Sequence, residues 1–77
     1  MDSALTDVIV HINETLSETA IDQIEQGVRT DRGVVSVGHN PKRSHLMWVV
    51  YDSEAARASN LLHNFQDRGL HAQLVGF

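Results

Sequence analysis

Hydrophobic periodicity changes twice along this chain from the two-residue repeat of a strand to the three-to-four-residue repeat of a helix and back, and that order leaves few folds open. Val8, Val10 and Ile12 alternate with Ile9 and His11, which predicts a first strand over residues 8 to 12. Thr15-Leu16-Ser17-Glu18 has the form of a capping box. Leu16, Ala20, Ile21, Ile24 and Val28 then make one apolar stripe, with Arg29 and Arg32 at the helix end that favours cations and Gly33 suited to end the loop that follows. Val34 to Val37 and Leu46 to Tyr51 are β-prone runs on either side of Asn40-Pro41-Lys42-Arg43-Ser44, whose composition predicts a hairpin loop. Ser53 is the predicted N-cap of a second helix that buries Ala55, Ala58, Leu61, Leu62 and Phe65 and stops at Gly69. Leu70, Ala72 and Leu74, alternating with His71, Gln73 and Val75, predict a last strand.

The order is therefore βαββαβ. Two βαβ-like halves that share one antiparallel sheet, with both helices on one face, give an α+β ferredoxin-like sandwich of four strands and two helices. A length of 77 residues fits a single domain, 1–77, with its core at about 7–76. The chain has no cysteine, so it can form no disulfide, thiolate metal site or cysteine nucleophile, and packing must supply its stability. Six basic against ten acidic residues give a net charge of −4, which argues against nucleic acid or an anionic membrane as the main partner. The longest apolar run, Leu46 to Tyr51, falls far short of the roughly 20 residues of a membrane span, and Met1-Asp2-Ser3 does not begin a signal peptide. A soluble cytoplasmic protein is expected.

Four segments carry a resemblance to a known family: Ile24-Glu25 in the first helix, Gly33-Val34-Val35-Ser36-Val37, Val49-Val50-Tyr51-Asp52, and Gly69-Leu70-His71-Ala72-Gln73-Leu74. In this order and spacing they resemble the heavy-metal-associated domain of copper chaperones, mercury-binding proteins and metal-pumping ATPases, over roughly residues 7 to 76. That resemblance implies the same sandwich, and a GMTCxxC loop between the first strand and first helix whose two thiolates hold a soft cation such as Cu(I). Counted back from Ile24-Glu25, the two cysteine positions fall on Ser17 and Ala20. A serine hydroxyl stays protonated at neutral pH and is a poor ligand for a soft cation, and alanine has no donor atom. The CxxC pair is absent, and the family's transfer chemistry carries over to no residue of this chain.

Five histidines offer a different donor set, since neutral imidazole binds Zn(II), Cu(II) or Ni(II) without thiolates. With Asn40 to Ser44 as the loop, Val37 would pair with Met47 and Val35 with Val49, which sets His39 across from His45. His11 and His71 would lie at the same sheet end on neighbouring strands, whereas His63 reads as a solvated helix position. A histidine-based metal carrier is thus one functional reading. The chain contains no HExxH, no HxxxH, no glycine-rich phosphate loop and no nucleophile elbow, so an enzyme is not expected.

The other reading rests on the third strand. If Met47, Val49 and Tyr51 face the helices, then Leu46, Trp48 and Val50 face the uncovered side of the sheet, joined by Ile9 and Val75. In that register Ser36 and Gly38 stand opposite Trp48 and Leu46, small enough to leave the indole projecting. A one-residue slip would exchange the two sets and make Trp48 the core anchor. With the first orientation, the exposed patch predicts a protein-interaction or self-association module without a cofactor, accessory to a metal-handling or electron-transfer system. RNA-binding domains of this topology also use the open face, but one aromatic there, with only Lys42 and Arg43 as nearby basic residues, is too little for stacking and phosphate binding.

Overall fold

Six elements follow one another through residues 4–75, the part of the chain that this computed structural model describes. They are β1 (Leu5–Ile12), α1 (Glu18–Arg29), β2 (Val34–Asn40), β3 (Arg43–Asp52), α2 (Ala58–Gln66) and β4 (Ala72–Val75). The strands form one sheet in the order β2-β3-β1-β4 with every neighbouring pair antiparallel. This is the expected ferredoxin-like sandwich. Alternation on β1 buries Val8, Val10 and Ile12, and on β3 it buries Met47, Val49 and Tyr51. These side chains meet Ile21, Ile24 and Val28 of α1 and Leu61 and Phe65 of α2 in a single core. The orientation of β3 is therefore the one with Trp48 outside, where it is 41% exposed.

The hairpin is tighter and less regular than its composition suggests. Only Pro41 and Lys42 lie between β2 and β3, and Val37 pairs with Val49, Gly38 with Trp48 and His39 with Met47. The expected pairing of Val37 with Met47, Val35 with Val49 and His39 with His45 is thus two residues out. A two-residue slip leaves every side chain on its face, so the core prediction survives it. Two bulges account for the difference. Val35 has no partner between the Val34–Tyr51 and Ser36–Val50 rungs, and Ser44, His45 and Leu46 have none between the His39–Met47 and Asn40–Arg43 rungs.

Both helices start later than predicted. Ser17, not Thr15, is the N-cap of α1: its Oγ accepts the Ala20 amide at 3.1 Å, and no Thr15–Glu18 capping box forms. The chain leaving β1 must first cross the end of the sheet, where the Asn13 amide donates to the His71 carbonyl, before it can turn into the helix. Ser17→Ala should cost about 1 kcal/mol of stability, measured by urea unfolding, because the Ala20 amide loses its acceptor. Ser53 likewise caps no helix. Its hydroxyl and amide both donate to the Ala4 carbonyl at 2.9 Å, while the Asp52 carboxylate takes the Glu54 amide. Residues 53–55 turn away from β3, leaving Ala55 outside the helix, and α2 begins at Ala58 after Arg57, with no side-chain cap.

Candidate functional site

Two regions qualify: the end of the sheet where β1 enters α1, and the face that the helices leave uncovered. At the first, Ser17 and Ala20 occupy the first turn of α1. The Ser17 hydroxyl takes the helix-terminal amide that would otherwise stabilise a thiolate. Neither position carries a sulfur atom and the chain has no cysteine, so these positions do not fit a soft cation.

A hydrogen-bonded latch closes this corner. The His71 amide donates to both oxygens of Glu14 at 3.0 Å, and its Nδ1–H donates to Glu14 Oε2 at 2.6 Å. The side-chain hydrogen bond from His71 holds the Glu14 carboxyl below its ordinary range, against a smaller opposing effect of desolvation. A depressed carboxylate pKa means stability present above the unfolded value and lost as pH falls through the folded one. The melting temperature of the parent should therefore fall more steeply than that of Glu14→Gln on acidification below about pH 5, the two curves converging at the lowest pH.

The histidines are brought together differently from either expected pairing. His39 Nδ1–H donates to Glu25 Oε2 at 2.8 Å, tying β2 to α1 on the helix side of the sheet. His71 is committed to Glu14. His45, carried off the regular ladder by the β3 bulge, donates from Nδ1 to the Ile12 carbonyl at 2.7 Å. Its ring stacks on that of His11, with centroids 6.1 Å apart and planes inclined by 19°. His11 Nδ1 is buried there without a hydrogen-bond partner. Neither His39 with His45 nor His11 with His71 forms a facing pair. Among the described residues, no three histidine, aspartate or glutamate side chains group as a metal site would require. His63 is exposed on α2, as expected.

The uncovered face presents Ile9 and Val75, each 38% exposed, beside Trp48, with Leu46 and Val50 half-buried between them. Ile9 stands opposite both Trp48 and Val75, so the patch is continuous from β3 across β1 to β4. Gly38, rather than Ser36, stands opposite Trp48, and Ser36 stands opposite Val50. This corrects the picture of a projecting indole. The ring folds onto the glycine so closely that a Cβ at position 38 would lie 2.2 Å from Trp48 Cζ2. A glycine there lets the indole lie down, and the face offers a partner a broad ring rather than a protruding edge. Beside it, Ile9, Asn40, Arg43, Leu46, Met47 and Trp48 line a shallow, mainly apolar hollow of about 250 Å³. The glycine seat and the bulge that frames this hollow depend on the exact pairing of β2 with β3, and the sequence carries no local signal for either. Among the described residues, no helix is long and apolar enough to cross a membrane.

Neither the models of protein families nor the curated proteins contain a match to the chain. Solved structures do match. Oxidised MerP from Ralstonia metallidurans superposes with a TM-score of 0.84 at 14% identity, covering 95% of this chain and 100% of that one. The copper chaperone of Enterococcus hirae gives 0.78 at 18% identity, over 88% of this chain and 98% of its own. A yeast copper transporter domain, determined in apo and Cu(I)-loaded states, gives 0.79 at 18% identity, over 91% and 94%. At these identities the likeness shows a shared fold.

Proposed function

We propose that this chain is a cytoplasmic protein-interaction module built on the heavy-metal-associated fold. In this reading it has lost the thiolate site, holds no resident metal, catalyses no reaction and works through its open sheet face. The observation that carries the proposal is the continuous apolar surface of Ile9, Leu46, Trp48, Val50 and Val75 on the one side of the sheet that neither helix covers. Open antiparallel faces are ordinarily polar, because water is their only neighbour. An apolar strip centred on a tryptophan is the composition of an interface core, where aromatic anchors supply most of the binding energy. The metal-handling setting of the structural neighbours suggests a partner of that kind. With Ser17 spent on capping and Ala20 lacking a donor, the loop that binds the cation in the resembling family has no chemistry left to offer.

A photoreactive benzophenone side chain placed at position 75 of the full chain, at the exposed edge of the patch with Trp48 left in place, and at position 59 on α2 as control, tests the proposal in cells. Covalent adducts from position 75 and none from position 59 are expected. Irradiation that yields no adduct at 75, with the folded protein abundant, would overturn the reading.

A further inference from the structure

Opposite charges flank the Trp48-centred strip along the strands, with Leu5 exposed beyond the one at the start of β1. Asp7, opposite Val50, lies on the open face at the end where β1 begins and β3 finishes. Arg43 lies at the other end, lining the hollow beside Leu46 and Trp48. Along the paired strand β2 the two ends lie four residues apart, from Ser36 opposite Val50 to Asn40 opposite Arg43, or roughly 13 Å. Both charged residues are exposed, and among the described residues neither makes an ion pair or a side-chain hydrogen bond. Asp52, at the same end as Asp7, is half-buried and already holds the Glu54 amide.

Resting on the interaction reading above, the geometry points to a second copy of this chain as the occupant, related by a two-fold axis that lies between the two sheets and runs across the strands. That rotation sets Asp7 of each copy against Arg43 of the other, with the two Trp48 rings near the axis. An axis along the strands would instead lay Asp7 on Asp7 and Arg43 on Arg43, an arrangement that like-charge repulsion disfavours. A strip that is apolar in the middle and flanked by opposite charges complements itself in one orientation only. The four strands span about 19 Å, so the strip measures on the order of 250 Å² per copy, below what a stable specific interface buries and in the range of a transient contact. The dimer is therefore weak and reversible, favoured at high protein concentration and low salt.

Sedimentation equilibrium of the full chain over a wide concentration range, at low ionic strength, decides it. The parent should show a monomer–dimer equilibrium. Asp7→Lys and Arg43→Glu should each weaken it about tenfold or more, since each reversal is felt twice across the axis. The double variant Asp7→Lys/Arg43→Glu should restore association to near the parental strength, because every pair is attractive again with the signs exchanged. Both positions are solvent-exposed, and circular dichroism verifies that the variants fold. A double variant no stronger than the single ones, or a parent monomeric at the highest concentration, would overturn the second copy as occupant. Either outcome leaves the interaction reading to the crosslinking test, where an adduct of twice the chain mass marks self-association and any other mass marks a different partner.

Discussion

A variant carrying Ser17→Cys and Ala20→Cys should bind one equivalent of Cu(I). Position 17 caps α1 and position 20 lies in its first turn, with the Ala20 amide 3.1 Å from the side-chain oxygen that a sulfur would replace. Thiolates at a helix N-terminus are stabilised by the unpaired amides and by the dipole, which lowers the thiol pKa into the range where the metal competes with protons. Arg68 lines the same shallow hollow as Ala20, beside Leu16, Ile24 and Leu70, and adds positive charge near the new sulfur. Either single cysteine lacks the second donor and should bind far more weakly. Competition against a chromogenic Cu(I) chelator under anaerobic conditions reads the difference. If the double variant captures no more copper than the single ones, positions 17 and 20 are not the equivalents of the cysteine pair.

Trp48→Ala should weaken association at the open face by at least about 2 kcal/mol, roughly thirtyfold in Kd, while changing the stability of the domain little. The asymmetry follows from where the indole sits. It is 41% exposed and rests on Gly38 outside the core, whereas Met47 and Val49 on either side of it are fully buried. Sedimentation gives the first quantity and urea unfolding the second. A loss of several kcal/mol in stability would assign Trp48 to the core instead, and unchanged association would remove the open face as the binding surface.

Those expectations depend on features that differ in how far the sequence discloses them. The element order and the two faces of β1 follow from periodicity, because burying one set of alternating side chains is the dominant energetic demand on a strand, whereas Leu46 to Tyr51 is apolar at every position and only the structure selects its inward face. Local hydrogen bonding is less legible. Thr15–Glu18 matches a capping box, yet Ser17 takes the cap, since the segment after Ile12 is held against His71 before the helix can begin. Ser53 is drawn to the Ala4 carbonyl, a partner 49 residues away that no local pattern reveals. Regular pairing placed His39 across from His45, whereas the three-residue bulge in β3 sends His45 to the Ile12 carbonyl and into a stack with His11, leaving His39 to Glu25. Bulges are set by the fit of a twisted sheet to its helices, and their position is a tertiary property. The seat of Trp48 on Gly38 escaped the sequence for the same reason. Alternation left two compositions open for the patch, and the register that selects one of them also sets the geometry that flattens it.

The claim beneath all of this is that a domain with the fold of copper- and mercury-handling proteins no longer handles soft cations. Titrating the unmodified, purified chain with a Cu(I)–bicinchoninate complex, without any added thiol, measures it directly. The absorbance of the copper complex should stay constant up to a large excess of protein. A stoichiometric fall in that absorbance, as the chain strips one copper per molecule from the chelator, would contradict the claim.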